Sequence, residues 1–101
     1  MFVHSVYFWL KPDLTEGDVA KFWQSVNALT KIPSVKYGWT GKPANTDRAI
    51  IDRSYTCALV LAFDDESGQD AYQVHPDHEA FRQGCGSFWS KIVIYDAISE
   101  A

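Results

Sequence analysis

Residues 2–10 carry Val, Tyr, Phe, Trp and Leu around His4 and Ser5, and Lys11-Pro12 closes the run. Such side chains suit a pleated, half-buried surface and proline interrupts ladder bonding, so a first strand is predicted. Its faces are His4, Val6, Phe8, Leu10 and Val3, Ser5, Tyr7, Trp9. Beyond Thr15, a good N-cap with Glu16 and Asp18 in the first turn, Val19, Phe22, Trp23, Val26 and Leu29 recur at helical spacing. Ile32-Pro33 is the predicted end of that helix.

A short second strand is predicted over 35–39, followed by an exposed connection over 41–53 rich in Pro, Asn, Asp and Arg. The third strand, 55–63, is apolar on both faces. Asp64 to Ser67 supplies helix-start chemistry, and a helix through Ala71, Tyr72 and Val74 meets Pro76. A second helical segment then continues from Pro76 through Phe81 to about Trp89, before a fourth strand over 92–98.

This order, β-α-β-β-α-β, is the ferredoxin-like pattern of an α+β fold. An antiparallel sheet with helices on one side and water on the other should alternate apolar and polar residues. Three of the strands do not. A second copy packed sheet to sheet, forming a dimeric α/β barrel, would cover the face that bears Tyr7, Trp9 and Tyr95. Aromatics on a sheet face, Trp39 included, fit such an interface better than a flat ligand platform.

The chain of 101 residues has 47% hydrophobic and 15% aromatic residues, the composition of one packed domain over residues 1–101. Thirteen acids against nine bases give a net charge of −4 with no Lys/Arg cluster, which argues against nucleic acid as a partner. No apolar stretch reaches the roughly 20 residues of a membrane span, and the first residues lack signal-peptide features, so a cytoplasmic location away from membranes is expected. Cys57 and Cys85 read as buried thiols.

Chemistry concentrates in Tyr72-Gln73-Val74-His75-Pro76-Asp77-His78. In the helix after Pro76, His78, Phe81, Cys85 and Phe88 form one stripe, which turns His78 toward the sheet. His4 shares its strand face with Val6 and Phe8, so both imidazoles and the Tyr72 hydroxyl can line one cavity. The same pattern also fits a core histidine satisfied by Tyr72 or a backbone carbonyl, with no chemistry. His75 and His78, with His4 or Asp77, have spacing that suggests metal ligands. Pro76 disturbs that register, however, and His75 equally suits a cap, so neither a metal nor a cofactor is expected.

His4 on a first strand, the His-Pro-x-His segment at 75–78, and the ending Phe88-Trp89-Ser90-Lys91-Ile92-Val93-Ile94-Tyr95-Asp96 resemble the stress-responsive dimeric α/β barrel (Dabb) family over essentially the whole chain. The resemblance implies a ferredoxin-like protomer and a homodimer. A plant polyketide cyclase of this family performs an aldol condensation with a histidine base held by a tyrosine, and those positions match His78 and Tyr72. Its strand-one pocket histidine matches His4, whereas a further pocket tyrosine falls at Val26.

Abstraction of a proton α to a carbonyl at neutral pH needs a base with a pKa near 7, and imidazole begins near 6.5. Two functions are therefore carried forward. One is a cofactor-free cyclase acting on a small hydrophobic or aromatic carbonyl compound, with His78 as base, Tyr72 bonded to its other ring nitrogen, and His4 bonding a substrate oxygen. The other is a stress-associated dimer that binds a small ligand without catalysis. Cofactor-free monooxygenation of a polyphenol is a third option, by relation to other dimeric barrels. A cavity of about 300 Å³ or more around His78 would favour a ligand site over a sealed core.

Overall fold

The computed structural model describes residues 1–100 in the order β1 (Phe2–Leu10), α1 (Glu16–Leu29), β2 (Tyr37–Gly41), β3 (Cys57–Phe63), α2 (Glu66–Gln73), α3 (Pro76–Cys85) and β4 (Trp89–Ile98). All strand pairs are antiparallel and the sheet order is β2-β3-β1-β4. This is the ferredoxin-like α+β arrangement, with the second helical region split in two at His75-Pro76. β1 and β3 are the two inner strands, each dense in strand-forming residues on both faces and paired on both edges.

Alternate residues of β1 (Phe2, His4, Val6 and Phe8) are buried together with Cys57, Leu59, Leu61 and Phe63 of β3. Phe22, Val26 and Leu29 of α1, Tyr72 of α2, and Phe81 and Cys85 of α3 complete that core. Phe8 meets Phe22 edge to face at 5.2 Å, and Phe81 stacks on Trp89 at 5.6 Å. Aromatic pairs of this kind add about 0.5–1.5 kcal/mol each to the area they bury. Thr15 caps α1 through a reciprocal box with Asp18: its Oγ1 accepts from the Asp18 amide, and Asp18 Oδ2 accepts from the Thr15 amide.

Several boundaries differ from the sequence expectation, each for a local reason. α1 ends at Leu29 and not at Ile32, because the amides of Thr30, Lys31 and Ile32 bond three residues back and tighten the exit before Pro33. Val35 is spent in that turn, its amide bonding the Ile32 carbonyl, so β2 begins at Tyr37. β3 starts at Cys57 and not at Tyr55. In α2 the buried residues are Gln69 and Tyr72, three apart, whereas Val74 is 82% exposed at the C-cap. α3 stops at Cys85, capped by Gly86, and Trp89 has already joined β4 opposite Leu10.

The other sheet face is aromatic and uncovered in the protomer. Tyr7 packs against Tyr55 at 5.1 Å and Tyr95 at 6.3 Å, Lys91 Nζ lies 4.5 Å from the Trp9 ring centre, and Trp39 and Tyr95 are exposed. The end of the irregular 42–56 connection lies along this face, where Trp9 Nε1 donates to Ser54 Oγ. No helix among the described residues is long and apolar enough to cross a membrane.

Candidate functional site

His4 occupies the middle of β1, where antiparallel register sets it beside Leu61 of β3 and Asp96 of β4. Its side chain is buried, and Nδ1 lies 2.5 Å from Asp96 Oδ1. A carboxylate only accepts, so Nδ1 carries the proton and donates it, which leaves Nε2 uncommitted. Gln69, buried on α2, places its amide 3.5 Å from the same Nδ1.

Tyr72 reaches the interior from α2 because Asp65 caps that helix through the Gly68 amide, directly after β3. Its ring stands 5.8 Å from that of His4 and 4.8 Å from that of His78, between the two imidazoles. Burial pushes the Tyr72 phenol well above its ordinary range, so it stays protonated and able to donate. His78 comes from the first turn of α3, whose entry is fixed by Pro76 at N1 and by His75, which accepts from the Asp77 amide at 3.1 Å.

The Tyr72–His78 contact differs from the expected hydroxyl-to-nitrogen bond. The rings meet edge to face at 66°, and Nδ1 of His78 is buried with no hydrogen-bond partner among the described residues. Tyr72 follows β3 so closely that its ring is held against Phe63 as well, at 5.6 Å, and it meets His78 by ring packing. Burial is the main cause that holds the His78 imidazole below its usual pKa; the Arg82 and His4 charges add to it and Glu79 opposes it. Neutral imidazole is therefore favoured, the form a general base needs.

These side chains converge on one cavity of about 190 Å³ between helices and sheet, lined by His4, Tyr72, Gln73, His78 and Arg82 and closed by Phe8, Phe81 and Trp89. It is smaller than the 300 Å³ expected of a drug-sized ligand site but is not a sealed core, because Ile92 and Ile94 at its β4 side are 39% and 50% exposed. Val26, where the sequence comparison expected a polar pocket group in relatives, is fully buried in the apolar core and is not part of the lining.

His75 stands apart as a helix cap, and among the described residues no three His, Cys, Asp or Glu side chains converge to hold a metal ion. The thiol of Cys57 is pushed up to about 12 by burial and is unreactive. Asp96, Gln69, Gln73 and Arg82 are given no role at the site by the sequence reading. Asp96 had one available signal, since it shares the β4 alternation of Ile92 and Ile94, the residues that face the cavity.

The fold defines the class: a ferredoxin-like protomer of the kind found in dimeric proteins. The chain belongs to the Stress responsive A/B Barrel Domain family, which it matches over residues 2–99. It is similar to olivetolic acid cyclase of Cannabis sativa, at 28% identity over 94 residues, covering 92% of this chain and 91% of the cyclase. A dimeric ferredoxin-like protein of unknown function from Thermobifida fusca yx superposes with a TM-score of 0.76 at 26% identity, covering 95% of this chain and 88% of that one. A Dabb family protein from Mesorhizobium loti superposes with a TM-score of 0.78 at 22% identity, covering 99% and 97%.

Proposed function

We propose that the protein is a cofactor-independent homodimeric enzyme that forms an enolate from a small carbonyl compound and closes it by an aldol-type step. The observation that carries this reading is the convergence of His4, Tyr72 and His78 on one cavity, with the buried His78 Nδ1 lacking a hydrogen-bond partner among the described residues. His78 is the base. It takes a proton from the carbon α to a carbonyl, and the C–H electron pair moves into the new C=C bond as the carbonyl π pair shifts to oxygen. The Tyr72 phenol is the donor for the oxygen that gains charge, and His4, whose Nδ1 is engaged by Asp96, lines the same cavity and turns its free Nε2 to the substrate. The enolate carbon then attacks a second carbonyl, and the proton held on His78 passes to the resulting alkoxide.

Similarity to olivetolic acid cyclase supports this chemistry without setting its substrate. The homodimer is supported by the dimeric state of the solved neighbours and by the uncovered aromatic face of the sheet. The smaller cavity favours a second reading, a dimer that binds a small ligand and does no chemistry. Exchange of α-hydrogens for deuterium, followed by NMR on a panel of β-carbonyl thioesters and acids, separates the two. His78→Ala should cut that exchange by about 10²- to 10⁴-fold with the fold intact. Exchange absent in wild type, or undiminished in the variant, removes the base assignment.

A further inference from the structure

Among the residues that line the cavity, Arg82 alone carries a fixed charge. It lies four positions after His78 on α3, so the two side chains share a helix face one turn apart, with about 5–6 Å between their β-carbons. Its guanidinium has five N–H donors, and the structure engages one of them, in a 3.4 Å contact with Glu79 Oε2. Both partners are more than half exposed, at 65% and 53%, so that ion pair contributes little and is readily exchanged. Glu79 is itself shared, since its Oε1 accepts from Gln83.

We propose that Arg82 is the specificity-determining residue of this site and that the substrate is a short oxo acid, its carboxylate held by Arg82 at the cavity mouth. This rests on the carbonyl reading above and adds the substrate class. Arginine binds a carboxylate through two parallel N–H bonds, which fixes direction as well as position. Anchored there, the carbon chain runs one helix turn inward, so that a carbonyl a few bonds from the carboxylate arrives between His78, Tyr72 and His4. Apart from Gln73, the remaining wall is apolar (Val6, Phe8, Leu29, Leu59) and carries no second charge. A volume of about 190 Å³ limits the occupant to a small molecule.

The test compares 4-oxopentanoate with its methyl ester, which differ in charge and hardly in shape. Binding is read from NMR shifts on titration into wild type, Arg82→Gln and Arg82→Lys, and α-hydrogen exchange in D₂O is followed on the same samples. The acid should bind wild type at least about tenfold tighter than the ester, as expected for a charge-assisted bidentate pair. Arg82→Gln should bring that ratio near one, and Arg82→Lys should restore part of it. An acid that binds no tighter than the ester, one that does not bind at all, or a ratio unchanged in Arg82→Gln overturns the proposal. The exchange measurement reports separately on His78: acid preference without exchange leaves the anchor standing and removes the base, whereas exchange without preference does the reverse.

Discussion

His4 and Ser5 are neighbours on β1, yet they belong to two different environments. His4 sits on the helix-covered face in a row with Leu61 and Asp96, while Ser5 sits on the opposite face in a row with Val60 and Tyr95. The covered face holds small numbers of polar groups, each close to another and most of them buried: His4 with Asp96 and Gln69, and Tyr72 with His78. The opposite face holds large aromatic side chains, with Trp39 at 56% and Tyr95 at 66% exposure. One face thus gathers polar groups around a cavity within the protomer, and the other presents apolar area that only another surface can bury. A strand alternation of two residues is enough to keep these roles apart.

The largest effect that would test this division is expected on the outer face. Trp9→Asp removes a large aromatic side chain and places a carboxylate, with Lys91 opposite it, on the face that the proposed partner sheet would cover, so it should yield aggregated or unfolded protein, as seen by circular dichroism and light scattering. Wild type should scatter as twice 11.4 kDa, and a single-chain mass at micromolar concentration would remove the contrast between the faces. On the covered face, Tyr72→Phe should leave the fold and the edge-to-face contact in place. Its α-hydrogen exchange should fall by about tenfold, well below the loss expected of His78→Ala, since it deletes one oxyanion donor and spares the base. A loss as large as that of His78→Ala would mean that the hydroxyl, and not the ring, positions the histidine.

The smallest expected effect is in stability against pH. Because the folded-state pKa of His78 is depressed, the unfolded chain takes up its proton first, so stability present above pH 6.5 should decline as pH falls below that value. His78→Gln, which cannot titrate, should show a shallower decline in urea midpoint between pH 7.5 and 5.5 at fixed protein concentration. Equal slopes in the two proteins would show that burial does not hold His78 neutral.

Much of this was legible in the sequence, and the reason is periodicity. The alternation in β1, the α1 stripe and the acid-rich helix starts placed the elements in order. The i, i+3, i+7 spacing turned His78, Phe81 and Cys85 inward, and Phe81 and Cys85 are buried. The partner of His4 was not legible, because it depends on the register of β4 against β1. A slip of one residue would bring Tyr95 to His4 and turn Asp96 outward. Val74 misled for another reason: it follows the apolar pattern of a helix that has already ended at Gln73. Arg82 went unnoticed because a charged residue on an exposed helix face is ordinary until a cavity is found beside it.

The pairing of β1 with β4 has a consequence for how the protein is made. Residues 2–10 bond along nearly their whole length to residues 89–98, and the Ser99 amide reaches back to the Met1 carbonyl. During synthesis the first strand therefore emerges long before its longest partner exists, and its aromatic surface waits on a ribosome that adds roughly 5–20 residues each second. Contacts between such distant positions also slow the final closure, since the intervening chain must be ordered before they form. The Asp96 carboxylate that orients His4 is carried on β4, so a nascent chain can complete its pocket only after that strand has been synthesised.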